Sequence, residues 1–198
     1  MNYEEMIQFI EDKGLSLPEK NYYYHAFVYD QNNFINMVNK GIKSSILLGK
    51  RGNGLNGKFY VSLSKRETSE IEYSIYNQLL YLPMFIINDE IKTIKAINCT
   101  KNISHYPRWF QYSPLPFRES IYDDEYQKFL QVSSKDIVGI EYNLKFLFKR
   151  INKSNIIEDL VVLKNMINDL NSQNLDLPII DYSSSREINK EKVLSLHL

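Results

Sequence analysis

Three polar residues far apart in the chain carry side chains that together could break an N-glycosidic bond. His25 lies in NYYYHAFVYD, Tyr60 in GKFYVSLSK and Glu125 in YDDEYQKFLQV. An imidazole can hydrogen-bond a sugar hydroxyl while staying neutral near pH 7. A phenol ring offers a flat face for stacking on a heteroaromatic leaving group. A carboxylate stabilises the positive charge that develops on the sugar and can accept a hydrogen bond from its 2′-hydroxyl. Singly each residue is ordinary: a histidine on a strand, one of 15 tyrosines, and one acid in the cluster Asp123-Asp124-Glu125. Their order and local contexts supply the weight.

Other chemistry is weaker. Glu141 in VGIEYN is a rival carboxylate on a neighbouring strand. GKRGNGLNGK lacks the Gly-Lys-Ser/Thr that opens a helix in a phosphate-binding P-loop. The single cysteine, Cys99, excludes an intrachain disulfide framework and a multi-cysteine zinc site, and reads as a strand-end residue rather than a nucleophile. His105 and His197 have no metal-ligand partners at suitable spacing.

The positioning elements follow from periodicity and punctuation. Residues 3–13 read as a short amphipathic helix stopped by Gly14, and YYYHAFVY (22–29) as a strand. Asp30 can cap a helix over 31–40, with Phe34, Met37 and Val38 at helical spacing and Gly41 as its stop. The segment 44–58 holds four of the seven glycines (49, 52, 54 and 57) and reads as a flexible loop. KFYVSLS (58–64) follows as a strand, and Ser69 can cap a helix over 70–81. MFIIND (84–89), IKTIKAIN (91–98), EYQKFLQV (125–132) and DIVGIEYN (136–143) are further strands. Pro107, Pro114 and Pro116 exclude a long helix or central strand from 101–122. Helices are expected near 143–151 and 155–171, and LPIIDY holds a short strand.

The chain has 198 residues, 43% hydrophobic and 24% charged, with 24 basic residues against 24 acidic. That balance suits a globular protein and gives no global electrostatic argument for nucleic acid or an anionic membrane as partner. No run reaches the length of a membrane span, and the acidic N-terminus has no signal-peptide core, so the expectation is a cytoplasmic protein, with export by a dedicated machine left open. Mixed helices and strands with strands clustered late favour α+β over a doubly wound sheet. We expect one domain over 1–150 and a C-terminal helical extension over 151–198 packed on it.

The segments HAFVYDQNNFINMVNKGIKS, GKFYVSLSK and DDEYQKFLQVSSKDIVGIEY resemble, in that order, ADP-ribosyltransferases of the His-Tyr-Glu type, which include poly-ADP-ribose polymerases and diphtheria-toxin-like enzymes. The resemblance covers roughly residues 20–145 and rests on His25, Gly41-Ile42, Tyr60 with Ser64-Lys65, and Glu125-Tyr126. Two features depart from it. His25 is followed by Ala26-Phe27 where the family has a glycine, and Ser62-Leu63-Ser64 with Asp123-Asp124-Glu125 only echoes the Arg-Ser-Glu branch.

The resemblance implies a split β-sheet core with flanking helices that binds NAD as substrate. His25, Ala26, Gly41, Arg51, Tyr60 and Ser64 would line the site, with Arg51 in a loop over the phosphates. Glu125, His25 and Tyr60 would be catalytic. Trp109, Phe110, Tyr112, Phe117 and Asp123 would contact the target. The implied reaction is mono-ADP-ribosylation of a macromolecule, a protein by analogy, with nucleic acid open as acceptor and no membrane partner. The setting expected from it is a bacterial or phage toxin or effector. The alternatives are a non-catalytic NAD- or partner-binding protein, such as an inhibitor or adaptor, and a simple NAD glycohydrolase.

Overall fold

The computed structural model describes residues 3–11, 17, 20–50, 59–66, 74–98, 119–120, 124–144 and 153–197. Arg51, Cys99, His105, Trp109, Phe110, Tyr112, Phe117 and Asp123 lie outside the described residues, as does the helix expected near 143–151 beyond residue 144.

The chain runs α1 (Tyr3–Ile10), β1 (Tyr23–Ala26), α2 (Gln31–Lys40), β2 (Ile42–Lys43), β3 (Tyr60–Lys65), α3 (Ile75–Gln78), β4 (Met84–Ile87), β5 (Ile94–Lys95), β6 (Ile97–Asn98), β7 (Glu119–Ser120), β8 (Tyr126–Phe129), β9 (Gln131–Val132), β10 (Ile137–Tyr142), α4 (Lys153–Ser172), β11 (Ile179–Asp181) and α5 (Lys190–Ser195). Seven strands form one sheet in the order β11-β10-β4-β1-β3-β8-β5. Its pairings are antiparallel except β10 with β11. Two small ladders, β2-β9 and β6-β7, lie outside it. The class is α+β.

α2 shows how local chemistry sets an element. Asp30 is extended and its carboxylate accepts from the Asn33 N–H at 2.9 Å, which satisfies a donor at the helix start. Phe34 and Val38, one turn apart, bury the same side. At the other end Gly41 takes φ +83°, and its N–H donates to the Met37 carbonyl at 2.8 Å. The chain then turns straight into β2, which pairs with β9. A Cβ on Gly41 would stand 2.1 Å from the Val132 carbonyl oxygen. Gly41 is therefore needed for both its conformation and the close backbone approach. Gly41→Ala should cost at least about 3 kcal/mol, combining a glycine-only conformation with backbone overlap. A lower urea midpoint at unchanged slope would show it.

The two faces of the sheet are covered unequally. Tyr23, Phe27, Phe85, Ile87, Val61, Leu63 and Ile140 share a core with Ile7 and Ile10 of α1, Phe34 and Val38 of α2, Leu160, Leu163, Met166, Ile167 and Leu170 of α4, and Val193 of α5. Phe85 sits at its centre, stacked on Phe27 with ring centroids 4.3 Å apart. Each such side chain contributes about 1.5–3 kcal/mol by burial. Asp169 of α4 ties the layer to α2's approach by accepting from Tyr29 Oη at 2.7 Å and Gln31 Nε2 at 2.8 Å. On the other face Tyr22, Tyr24, Met84, Ile86 and Ile180 pack with Tyr76 of the one-turn helix α3. β4 lies between β1 and β10, and all four of its residues are buried, as MFII requires of a strand covered on both sides.

Two expectations shift. The helix expected over 70–81 is described only as Ile75–Gln78, with Ser74 accepting from the Asn77 N–H at its start. Asp124, fifty residues on, accepts from the Ile75 N–H at 2.6 Å, the Tyr76 N–H at 3.0 Å and the Ser74 hydroxyl at 2.9 Å, and so anchors that helix end. The strand in LPIIDY forms β11 at the edge of the main sheet, so residues beyond 150 supply a strand as well as helices.

Candidate functional site

β1 holds His25 beside β3. The two strands pair through only Tyr23 with Lys65 and Tyr24 with Ser64, and then part. β1 stays paired with β4 through Ala26 opposite Met84, and Phe27 N–H extends that contact to the Pro83 carbonyl at 3.0 Å. The His25 imidazole spans the opening, with Nδ1 2.8 Å from the Ser62 carbonyl oxygen. A carbonyl only accepts, so Nδ1 carries the hydrogen. Burial pushes the imidazole pKa below its usual value, opposed by the Ser62 carbonyl. The ring is neutral at pH 7, with its lone pair on Nε2.

That shift has a stability consequence. An unfolded histidine takes up a proton near pH 6.5, whereas the folded one resists it to lower pH. The contribution of His25 is therefore complete above about pH 6.5 and is lost as pH falls through the window below. His25→Gln should flatten the fall in unfolding free energy between pH 7 and 5. Urea titrations at the two pH values, compared with wild type, read the difference.

β3 and β8 bring Tyr60 and Glu125 to one face. Tyr60 lies opposite Phe129 and Ser62 opposite Gln127, so these four side chains share a side. One step further along that register sets Ser64 across from Glu125. The two ends are four residues apart on β8, roughly 14 Å. Tyr60 is buried and meets the exposed Phe129 ring edge-on, with centroids 5.5 Å apart. Glu125 is half-buried; its Oε1 lies 3.4 Å from Gln127 Nε2 and its carbonyl accepts from the Ala96 N–H.

His25 belongs by strand alternation to the opposite face, with Tyr23, and reaches β3 only through the gap. Ala26 lies on the Tyr60 face against Tyr24 and Met84. Gly41 is at the end of α2, where its close neighbours are the backbone of Val132, Ser133 and Ser134.

A second polar group on the Tyr60 face escaped sequence reasoning as a unit. Glu141, 3% exposed, sits on β10 opposite Met84. Its carboxylate accepts a short hydrogen bond from Tyr76 Oη and lies 3.4 Å from Arg66 Nη1. Arg66 also donates to the Tyr182 carbonyl at 2.6 Å and stacks on the Tyr182 ring. Tyr24 packs edge-on to Tyr76 at 5.0 Å. Burial raises the Glu141 pKa, opposed by Tyr76 and Arg66. It raises Tyr24 and Tyr76 further, and the charge of Glu141 adds to it. The network is bonded internally, and it joins β3, α3, β10 and the turn after β11. The only sequence signal for it was an acid inside an apolar strand. Its partners are 75 and 65 residues away.

Among the described residues, no group of three or more His, Cys, Asp or Glu could hold a metal ion, and no helix is long and apolar enough to cross a membrane. No family model, no curated protein and no solved structure matches the chain.

Proposed function

We propose that the chain is an NAD-dependent mono-ADP-ribosyltransferase of the His-Tyr-Glu type, with a split-sheet core, that transfers ADP-ribose to a macromolecular acceptor, a protein by analogy. One observation supports the reading: β1 and β3 part after two residue pairs, and there the neutral His25 imidazole is held by the Ser62 carbonyl, which leaves its lone pair on Nε2. In this reading the ribose sits at the mouth of that opening, where the two faces meet. Tyr60 orients the nicotinamide ring, which requires it to exchange part of its contact with Phe129. Glu125 stabilises the oxocarbenium-like ribose. The bond between C1′ and the pyridinium nitrogen breaks, its electron pair leaves with nicotinamide, and the acceptor's nucleophile adds to C1′ and gives up its proton.

The division of the trio between two faces favours one alternative, a protein that binds NAD without turning it over. Incubating the protein with adenylate-labelled NAD and a cell lysate separates the two. Transfer requires nicotinamide release and label in macromolecules. Calorimetric NAD binding with neither product assigns a binder. Free ADP-ribose without labelled acceptor assigns a glycohydrolase. No binding and no release ends the NAD reading.

A further inference from the structure

Among the described residues, eight large apolar side chains are exposed, and four of them belong to one corner of the fold. Ile46, Leu47 and Leu48 are 39%, 45% and 51% exposed, and Phe129 is 56% exposed. Backbone bonds join the two segments. β2 pairs with β9 through Ile42 opposite Val132 and Lys43 opposite Gln131. The Ser44 N–H donates to the Leu130 carbonyl at 2.8 Å, and the Leu130 N–H to the Phe59 carbonyl at 2.8 Å. Leu130, at φ +61°, turns the chain from β8 into β9 directly after Phe129. Residues 44–50 close into a single turn. The Leu48 N–H donates to the Ser44 carbonyl, Gly49 to Ile46 and Lys50 to Ser45, with Gly49 at φ +64°. This is the left-handed glycine stop of a helix end, and it holds three successive apolar residues at the surface.

Charge is one-sided here. Lys43 and Lys50 bracket the turn and Lys128 precedes Phe129. Residues 42–50, 59–65 and 126–133 hold no acid, in a chain that has 24. Glu125 lies at the far end of β8, and Asp136 leads away into β10. The ion pairs Arg66–Glu141 and Lys190–Asp176 are elsewhere.

We infer that this corner is a peripheral docking surface for an anionic bilayer. Ile46, Leu47, Leu48 and Phe129 enter the headgroup boundary, and Lys43, Lys50 and Lys128 meet the lipid charges. Apolar side chains flanked by lysine match a surface that is negative outside and apolar beneath. The N–H groups of Leu47, Leu48, Gly49 and Lys50 are all bonded within the turn, so these donors can leave water without loss. Four side chains are too few for a stable protein pair, in which each partner buries about 800 Å². The overall balance of 24 basic and 24 acidic residues averages the corner away. The inference stands apart from the NAD reading.

Co-sedimentation of the full chain with vesicles, without nucleotide, tests it. Wild type should bind phosphatidylcholine vesicles that contain phosphatidylglycerol, and not pure phosphatidylcholine, with affinity falling as salt rises. Leu47→Ser combined with Leu48→Ser should weaken binding at least about tenfold. Lys43→Gln combined with Lys50→Gln should weaken it roughly 20-fold, at about fivefold per lysine. Phe129→Ser, on the other segment, gives a second reading if the turn variants lose their melting transition. Val28→Ser, at the 73% exposed side chain after β1, should change nothing. Wild type that stays in the supernatant with anionic vesicles overturns the inference. Unchanged binding by the serine variants, or an equal loss in Val28→Ser, does the same. So does a concentration-dependent dimer lost with the serine pair, which assigns the corner to a second copy. Retention on an acidic peptide without vesicle binding assigns it to an acidic protein instead.

Discussion

Glu125→Gln should lower the rate of nicotinamide release from NAD by about 10²–10³, or roughly 2.7–4 kcal/mol of transition-state stabilisation. Glutamine keeps the shape and the hydrogen-bond reach of glutamate but not the charge that opposes the cationic ribose. NAD affinity should change much less, because the charge develops only in the transition state. Glu141→Gln is the matched control. Glu141 is buried and bonded to Tyr76 and Arg66, in a network that ties strands together rather than facing the opening at His25. Single-turnover rates on folded, NAD-saturated protein separate the two carboxylates. A loss confined to Glu141→Gln would move the catalytic role to β10 and refute the assignment to Glu125.

Stability gives Glu141→Gln a signature of its own. The folded pKa of Glu141 is raised by burial, so the folded state holds its proton to higher pH than the unfolded chain. Its contribution is complete below the unfolded value, about 4.3, and is lost as pH rises through the folded value. This trend is opposite in sign to that of His25.

Asp181→Ala should cost about 3–5 kcal/mol, the largest loss we expect from a single truncation on the sheet edge. Asp181 is completely buried at the end of β11. Its Oδ1 accepts from the Leu144 N–H at 3.0 Å. Its Oδ2 accepts from the N–H groups of Ser183 at 3.1 Å and Ser184 at 2.9 Å and from both hydroxyls. Alanine strands three backbone donors. Each costs about 1–3 kcal/mol when unsatisfied, reduced at the half-buried serines, where water reaches. Asparagine keeps one acceptor oxygen and should recover about half. The same turn presents the Tyr182 carbonyl to Arg66. Asp181→Ala and Arg66→Ala should therefore couple in a double-mutant cycle. Urea unfolding measures both. A loss under about 1 kcal/mol for Asp181→Ala would show that the turn holds without its carboxylate.

Legibility in the sequence tracks the range of the interactions. Both ends of α2 were legible because Asp30 bonds three residues ahead and Gly41 answers to its own dihedral angle. β4 and β10 were legible as strands because MFII and IVGIEY are rich in β-branched and aromatic residues. The start of α3 was not, since Ser74 caps it and Asp124 binds it from fifty residues away. The Arg66–Glu141–Tyr76 network was invisible for the same reason.

The sequence by itself determined the residue types that could handle a glycosidic bond, their order, and the strands that carry them, because propensity and capping act over a few residues. Only the tertiary structure decided how those strands lie beside one another. Register alternates side chains between faces, and one unpaired position changes what two strands can share. It is that register which sets Tyr60 and Glu125 on one face and His25 on the other. The parting of β1 from β3 leaves the His25 imidazole to bridge them through the Ser62 carbonyl.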